Sequence, residues 1–479
     1  MPFKDLRQFI ETLKTTGDCL EVNREVDWDQ EIGAIGRRVC ERSGPALLFN
    51  RIKDYPEGFR IFSGSLCTYR RVAIALDLPA DAAVREIFAE YDRRNQHPVK
   101  PVVVKDGPCK ENILLGDDAD LHQLPAPLVH SGDGGRYIGT WSLTVCKDPD
   151  SDWTNWGMYR FMVYNRRHIT GQPRLNSQLG MILHQKYIPK KKPMPMALVI
   201  GAEPITSLVA SASYRKGVSE ADYAGALRQQ PVELVKCETS DLLVPATAEI
   251  VIEGEVLPDQ VGEEGPFGEF PGYRTEGINM GVTCRIKAIT YRNSPILSMI
   301  ALGVPPDANS VATPIASSLA VRDHLRRHGA PVLHAYSPPH GVLHTIFISV
   351  KPGGRDTANK ILDGLTLRRS DWSKVIMVDE DVDVFDIGQV LHAFSVKCHP
   401  IRGIYAREVE PGKAHCLTPC YSPEERRDLR GAIVLFDCTW PPEWSSFRDI
   451  PPKNSFDGIY SEEIKKKVLE NWAEYGLKV

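Results

Sequence analysis

The stretch Glu264-Gly265-Pro266-Phe267-Gly268-Glu269 lies between two apolar runs, 249–253 and 282–288, in a chain of 479 residues. Its glycines and proline disfavour a regular helix, so we expect a shaped loop or a strand corner. A rigid loop can hold both carboxylates in one cleft, where different surroundings can leave one ionised and the other protonated. The alternative is an ordinary tight turn with two solvated acids.

The residues around this loop are rich in strand signals. Short β-branched segments separated by turn residues favour a barrel or a sandwich. We predict strands at 137–145, 161–164, 197–200, 249–253 and 282–288.

Both flanking regions alternate between helical and strand patterns, which is typical of α/β units. On the N-terminal side we predict a helix over 3–16, a strand at 19–22, a helix over 29–40, a strand at 46–49 and a proline-containing connecting arm over 100–128. On the C-terminal side we predict helices over 314–328, 387–394 and 461–475, with strands at 344–350 and 374–378. The fold class is therefore multidomain α+β or α/β, with parts at 1–120, 121–310 and 311–479.

Composition narrows the possible functions. The chain is 42% hydrophobic and 25% charged, which is a globular balance, and its net charge of −4 argues against a nucleic-acid partner. No apolar run approaches the length of a membrane span and the N-terminus lacks a signal-peptide pattern, so we expect a cytoplasmic protein. The eleven cysteines include no CxxC pair, which indicates neither a disulfide framework nor a zinc ribbon.

Two further segments carry paired polar groups. In Asn155-Trp156-Gly157-Met158-Tyr159-Arg160, strand alternation places the guanidinium of Arg160 on the face opposite Asn155. A guanidinium facing the acidic loop would complete a carboxylate pair. The segment Gly217-Val218-Ser219-Glu220 resembles a helix start, with Ser219 as cap and Glu220 in the first turn.

The residues of these motifs and their order along the chain resemble those of the UbiD family of reversible decarboxylases. The resemblance extends over nearly the whole chain. It is carried by Asn155-x-Gly157-x-Tyr159-Arg160, Gly217-Val218-Ser219-Glu220, Glu233-Leu234-Val235-Lys236-Cys237, Val244-Pro245-Ala246-x-x-Glu249-Ile250-Val251-x-Glu253-Gly254, the loop 264–269 and Val378-Asp379-Glu380-Asp381-Val382-Asp383.

The resemblance implies an N-terminal α/β region, a central split β-barrel like those of flavin reductases and a C-terminal α/β domain that mediates oligomerisation. It implies prenylated FMN as cofactor, held with Mn²⁺ and often K⁺, and a flavin prenyltransferase that supplies the cofactor. The implied ligands are a small aromatic carboxylic acid and CO₂, and the implied assembly is a homodimer or a homohexamer.

The resemblance also implies roles for individual residues. Metal ligands would be Asn155, Glu220 and, where the family commonly has His, Gln178. The cofactor would be bound by these three with Gly157, Tyr159, Arg160, Ser211 and Lys397. The catalytic set would be Arg160, Glu264 and Glu269.

The chemistry of decarboxylation is consistent with this set. Loss of CO₂ from an sp² carbon requires an electron sink, which the flavin supplies, and a proton donor. We expect Glu269 to be the donor, because an enclosed apolar site beside Phe267 and Phe270 would raise its pKa. Glu264 would stay ionised against Arg160 and orient it, although a plain buried salt bridge is the alternative.

The substrate is expected to contact the segments 270–273 and 304–309. A hydroxybenzoate or a heteroaromatic acid is favoured over a plain cinnamate, because 304–309 offers an acid and an amide. Two alternatives stay open. One is carboxylation by a subunit of an aromatic carboxylase complex, and the other is a non-catalytic flavin-binding assembly subunit.

Overall fold

The first sheet combines strands from two distant parts of the chain. The computed structural model describes residues 2–175, 177–212, 214–274, 277–367, 371–445 and 448–476. The four strands run in the order β1 (Cys19–Val22), β2 (Ala46–Phe49), β3 (Arg60–Ser63) and β15 (Ile296–Met299). β15 pairs with β3 in parallel, so a segment that follows the acidic loop completes the N-terminal sheet.

The N-terminal region has four α-helices among the described residues, and the first two correspond to the predicted helices. They are α1 (Leu6–Thr15), α2 (Glu31–Cys40), α3 (Tyr69–Ala75) and α4 (Val84–Asn95). α1 begins three residues later than predicted, because the Asp5 carboxylate accepts a hydrogen bond from Gln8 N at 2.9 Å and caps the helix there. The apolar face of α1 is buried through Leu6, Phe9, Ile10 and Leu13.

The central sheet is antiparallel and has eight strands. They are β5 (Asn112–Leu115), β6 (Ser142–Lys147), β7 (Thr154–Gly157), β8 (Phe161–Asn165), β9 (His168–Gly171), β10 (Met194–Ile200), β13 (Ile250–Glu264) and β14 (Asn279–Tyr291). Their order is β7-β6-β10-β13-β14-β9-β8, and β5 also pairs with β14. Among the described residues these pairings leave the sheet open, so they do not form the closed barrel that the strand pattern allowed.

Two sequence predictions for this region need correction. β13 and β14 are much longer than the predicted 249–253 and 282–288, because backbone pairing continues past a bulge at Glu253/Gly254 where the side chains become polar. The arm 100–128 is not only a connector. It contains β5, and its β4 (Val102–Val103) pairs with β11 (Glu233–Lys236), which in turn pairs with β12 (Leu243–Pro245).

The C-terminal unit is a five-stranded sheet with helices. Its strands run in the order β16 (Val332–Tyr336), β17 (Thr345–Val350), β18 (Lys374–Asp379), β20 (Gly431–Cys438) and β19 (Ile404–Val409). Its helices are α8 (Ala308–Arg327), α9 (Arg355–Thr366), α10 (Ile387–Lys397), α11 (Pro423–Asp428), α12 (Phe456–Ile459) and α13 (Glu462–Glu470).

Three helices of this unit differ from their predicted bounds. α10 continues three residues beyond the predicted end at 394, to Lys397. α8 begins six residues before the predicted Pro314, because Asp307 and Ser310 form a reciprocal capping box and the helix accommodates Pro314 in its interior. α13 ends at Glu470 instead of continuing to 475, although Ser461 caps it as predicted.

The remaining helices belong to the middle of the chain. They are α5 (Gln178–Ile182), which continues as a π-helical turn over Leu183–Tyr187, α6 (Pro204–Ala210) and α7 (Glu220–Arg228). All eleven cysteines are free thiols, as the spacing indicated. Within the described ranges no helix is both long and apolar enough to cross a membrane.

Candidate active site

The acidic loop begins where the long strand β13 ends at Glu264. Gly265 has a φ of +89°, a left-handed conformation that favours glycine. The segment before β6 supports the loop from behind: Gly134 N donates to Pro266 O at 2.8 Å and Gly268 N donates to Asp133 Oδ1 at 2.9 Å. A Cβ on Gly134 would lie 1.9 Å from Gly265 O, so this close approach requires glycine. The loop is therefore a fixed, packed element.

Arg160 joins the two carboxylates of the loop. Its Nε and Nη2 donate to Glu264 Oε1 and Oε2 at 2.8 and 2.9 Å, a bidentate pair. Its Nη1 contacts Glu269 Oε1. The guanidinium also lies over the Phe267 ring, 5.1 Å from the centroid. We expected Arg160 to pair with Glu264 alone and Glu269 to lie in an apolar setting, but the structure places both carboxylates on one guanidinium.

Glu264 is completely buried and has one further partner. The hydroxyl of Tyr137 donates to Glu264 Oε1 at 2.8 Å. Burial, together with the negative charge of Glu264, raises the pKa of the Tyr137 hydroxyl, so it remains a neutral donor. The Tyr137 ring packs on Phe267 with centroids 4.3 Å apart. Tyr137 thus connects the apolar and ionic contacts of the loop.

A second polar cluster unites Asn155, Gln178 and Glu220, which are distant in sequence. Asn155 lies in β7, and the other two begin helices α5 and α7. Asn155 Nδ2 donates to Gln178 Oε1 at 2.6 Å and to Glu220 Oε1 at 3.4 Å, while Trp156 N donates to Glu220 Oε2 at 2.9 Å. The structure therefore brings together all three predicted metal ligands.

Glu220 is a buried carboxylate with neutral hydrogen-bond partners. Burial raises its pKa to about 7, and hydrogen bonds from the Trp156 backbone and from Asn155 only partly oppose this effect. Among the described residues, no ion pair links Glu220 to a Lys, Arg or His. A bound cation would therefore stabilise the negative charge of Glu220.

The other predicted cofactor contacts divide into two groups. Gly157 and Tyr159 are adjacent to the cluster: a Cβ on Gly157 would lie 2.7 Å from the Tyr159 ring, and the Tyr159 hydroxyl accepts a hydrogen bond from Leu179 N. Ser211 and Lys397 do not line the cavity described below. Ser211 bonds Leu208 O at the end of α6, and Lys397 pairs with Asp379 at 2.7 Å in the C-terminal unit.

A cavity of about 300 Å³ opens beside Arg160 and Glu269. Its lining includes Thr140, Trp141, Ser142, Met158, Tyr159 and Phe267, together with Gln172, Arg174, Asn309, His415 and Leu417. The Ser142 hydroxyl is buried and has no hydrogen-bond partner among the described residues. Phe270, of the predicted substrate segments, also lines the cavity, and its ring packs against His415 with centroids 5.6 Å apart.

Sequence reasoning missed three contributors to the site. Tyr137 was predicted only as the start of a strand, and no role was predicted for Asp133, whose carboxylate also lies 3.0 Å from His130 Nδ1. The glycine-rich segment 129–135 was the available signal, because glycines beside His and Asp indicate close backbone approach. His415 had no signal, since it reaches the cavity from a unit 146 residues beyond Glu269 in the chain.

Comparison with known proteins identifies the family of the chain. Family models of 3-octaprenyl-4-hydroxybenzoate carboxy-lyase match the chain in three parts: the N-terminal domain at residues 10–91, the Rift-related domain at 100–305 and the C-terminal domain at 312–438. The protein belongs to the UbiD family. It is therefore a carboxy-lyase.

Three UbiD relatives illustrate the similarity. The chain is 31% identical to pyrrole-2-carboxylic acid decarboxylase of Pseudomonas aeruginosa over 98% of both chains. It matches the closed form of Sedimentibacter hydroxybenzoicus vanillic acid decarboxylase with a TM-score of 0.86, 28% identity and 99% coverage of both chains. It matches an evolved dimeric form of the UbiD-class enzyme HmfF from Pelotomaculum thermopropionicum, in complex with prFMN, with a TM-score of 0.78, 28% identity and coverage of 94% and 97%.

The residues present fit the groups that the UbiD family implies. Asn155, Gln178 and Glu220 offer oxygen donors, which suit a hard divalent cation such as Mn²⁺. Within the described ranges no cluster of three or more His, Cys, Asp and Glu side chains could hold a metal instead. The hydroxyl of Ser142, which lines the cavity and has no partner among the described residues, offers a flavin a hydrogen bond.

Proposed function

We propose that the protein catalyses the reversible, non-oxidative decarboxylation of an aromatic or heteroaromatic carboxylic acid with prenylated FMN. The observation that carries this proposal is the shared position of Glu264 and Glu269 on the guanidinium of Arg160, at the wall of a cavity large enough for a small ring. The similarity to decarboxylases of pyrrole-2-carboxylic and vanillic acids supports an aromatic substrate.

Prenylated FMN would be bound by the central domain, residues 121–310, which we propose to be of the split-barrel type. Asn155, Gln178 and Glu220 would hold Mn²⁺ beside it, with K⁺ as a second cation, and Ser142, Gly157 and Tyr159 would lie against the flavin. When bound, the cofactor supplies the electron sink for the bond that breaks. A flavin prenyltransferase would be the partner that supplies it.

The protein itself would position the acid and deliver a proton. Arg160 is fixed by its bidentate contact with Glu264 and can orient the substrate carboxylate. When the bond to CO₂ breaks, the ring carbon gains a proton from the Glu269 carboxyl group. The resulting Glu269 carboxylate is then stabilised by Arg160, so the contact between them favours proton release. Carboxylation would use the same contacts in reverse.

The direct test is CO₂ release from a panel of aromatic acids by protein matured with a flavin prenyltransferase and Mn²⁺. Replacing Glu269 with Gln should lower the rate by about 10²–10⁴-fold, the usual contribution of general acid catalysis, and should leave the flavin spectrum unchanged. Glu263→Gln is the matched control, because Glu263 lies in β13 directly before the acidic loop and its side chain is exposed. Undiminished CO₂ release by the Glu269→Gln variant would contradict the assignment.

We also propose self-association through the C-terminal domain, 311–479, as a homodimer or a homohexamer. Helix α13 has no buried residue in the single chain, although it has an apolar face with Ile464 and Leu469 exposed. Light scattering of the purified protein measures the assembly. A monomer would contradict this part of the proposal.

A further inference from the structure

His130 and Asp133 lie behind the acidic loop, in the segment that supports it. The Asp133 side chain is fully buried, and its carboxylate accepts hydrogen bonds from two backbone groups, Gly268 N at 2.9 Å and His130 N at 3.0 Å. Such hydrogen bonds favour the charged form of a carboxyl group, so Asp133 is an ionised acceptor. The His130 ring packs on the loop itself, since a Cβ on Gly268 would lie 2.6 Å from its Nδ1.

Each ring nitrogen of His130 faces an acceptor. Nδ1 lies 3.0 Å from Asp133 Oδ2, and Nε2 lies 2.8 Å from Leu302 O. A carbonyl oxygen and an ionised carboxylate can only accept, so both hydrogen bonds need a hydrogen on the ring. A neutral imidazole has a single N–H, and only the imidazolium satisfies both contacts together.

The second of these acceptors belongs to the β15–α8 linker, residues 300–307, which leads from the N-terminal sheet into the C-terminal unit. Ile300 and Leu302 of this linker line the cavity. The Leu302 side chain also packs against a small apolar cluster that includes Phe267 of the acidic loop. His130 therefore connects the loop that carries Glu269 to a segment of the cavity wall.

Arg37 of α2 holds the same linker from the other direction in sequence. It donates from Nη1 to Ala301 O and from Nη2 to Pro306 O, both at 2.7 Å. The adjacent carbonyls of Ala301 and Leu302 are thus bound by two different side chains. Arg37 is always charged, whereas His130 must gain a proton to make its contact.

The other charged side chains on the elements packed against His130 have partners of their own. They are Glu264 and Glu269 of the acidic loop, Asp307 of the linker, and Arg274. The two glutamates contact Arg160. Asp307 Oδ2 lies 3.6 Å from Arg37 Nη1, and Arg274 Nη1 donates to Ser131 O at 3.2 Å. Asp133 is therefore the carboxylate that pairs with the imidazolium.

We propose that His130, as an imidazolium, is a positioning residue that binds the acidic loop to the β15–α8 linker and so fixes Glu269 relative to the cavity wall at Leu302. A neutral ring would keep its hydrogen on Nδ1, toward Asp133, and would turn the bare Nε2 toward Leu302 O, leaving two acceptors face to face. The effect on turnover rests on the proposed function, because it requires Glu269 as proton donor. The bridge itself does not.

NMR of protein labelled with ¹⁵N in its histidine rings tests the charge of His130. Both ring nitrogens should carry hydrogen at pH 7, whereas an imidazole in water is mostly neutral at that pH. The signals that disappear in His130→Gln, or in His130→Asn, identify the residue. A His130 ring with one bare nitrogen at pH 7 would overturn the proposal.

Backbone hydrogen exchange of the full chain tests the bridge. His130→Gln has one donor nitrogen for two acceptors, so exchange in 264–269 and 300–307 should accelerate about tenfold, the effect of one hydrogen bond to a charged group. The five-stranded C-terminal sheet should not change, whereas a general structural defect would accelerate exchange there too. His122→Gln, exposed in the same domain, is the control. Equal exchange in the two variants would overturn the bridge.

CO₂ release by the holoenzyme variants measures the effect on turnover. Misplacement of a reacting group by about 1 Å can cost about 10²-fold, so His130→Gln should lower kcat by about 10–100-fold. KM should stay nearly constant, because Arg160 is still fixed by Glu264. An unchanged kcat would overturn the positioning role. A doubly protonated His130 with locally faster exchange in His130→Gln, but no CO₂ release by the unsubstituted holoenzyme, would support the bridge and contradict the proposed function.

Discussion

Two buried carboxylates, Glu264 and Glu220, are stabilised by different kinds of partners. Glu264 faces a cation from its own chain, Arg160, and a neutral donor, Tyr137. Among the described residues, Glu220 accepts hydrogen bonds from the neutral donors Trp156 N and Asn155, and burial raises its pKa to about 7. The comparison indicates that the first site is electrostatically complete within the chain, whereas the second favours a cation from outside.

The largest expected effect is on the stability of the Glu264 site, whose charge is balanced within the chain by Arg160. Glu264→Gln would leave the Arg160 guanidinium without its bidentate partner, and breaking a buried pair in this way lowers the free energy of unfolding by about 3–5 kcal/mol. Chemical denaturation of the metal-free protein measures the loss. The control Glu263→Gln should change the stability by no more than about 0.5 kcal/mol, since its side chain is exposed. Equal stabilities of the two variants would remove the distinction between the sites.

The next effect concerns the site that favours an external cation. In metal-free protein, Glu220→Gln should not destabilise the fold, because it removes a buried charge and keeps an acceptor for Trp156 N. Mn²⁺ at a hundred times its dissociation constant should stabilise the unsubstituted protein by about 2.7 kcal/mol. Denaturation with Mn²⁺ and with a chelator should show this gain in the exposed control Glu233→Gln and not in Glu220→Gln. A full gain in Glu220→Gln would remove it from the ligand set.

A smaller loss of stability is expected when Glu264 loses its neutral partner, the hydroxyl of Tyr137. Tyr137→Phe removes the hydroxyl that donates to Glu264 Oε1 but retains the ring contact with Phe267. Loss of one hydrogen bond to a buried charge should lower the free energy of unfolding by about 1.5 kcal/mol. If the thermal denaturation midpoint does not change, Arg160 alone is sufficient to stabilise the carboxylate.

The smallest effect is expected for a carboxylate near the surface, Glu90. Glu90 in α4 is partly exposed, and hydrogen bonds from Arg93 and then Arg94 lower its pKa from 4.5 to about 2. Its stabilising contribution is therefore present above pH 4.5 and is lost as the pH falls toward 2. Because solvent screens such a pair, Glu90→Gln should cost below about 1 kcal/mol at pH 7, and less at pH 3. A loss that grows on acidification would contradict the stated direction.

Local sequence patterns predicted the helices and strands whose bounds are set by residues within or next to them. Strands β1 and β2 have their predicted bounds, and helix α10 begins at the predicted residue Ile387. Errors arose where a contact outside the apolar pattern decided the outcome. β13 continues beyond its apolar run because β14 pairs with it, and α8 extends to Ala308 because a capping box outweighs the preference of Pro314 for a first turn.

The residues of the candidate site also fall into those that a sequence motif predicted and those that only three-dimensional contacts reveal. Arg160, Glu264 and Glu269, and likewise Asn155, Gln178 and Glu220, were named from motifs, and the structure places each set together. Lys397 is outside the cavity because its charge is paired with Asp379 in its own unit. His415 could not be placed, since only the three-dimensional arrangement brings the C-terminal unit against Phe270.

The parallel pairing of β15 with β3 has a consequence for synthesis of the chain. The N-terminal sheet cannot be completed until Met299 has left the ribosome, long after β1, β2 and β3 are available. Until then β3 is an open edge able to pair with other strands. The residues that follow β15, Ile300 and Leu302, line the cavity, so closing this edge also positions one of its walls. Completion of the N-terminal sheet and placement of this wall of the cavity are therefore coupled during synthesis of the chain.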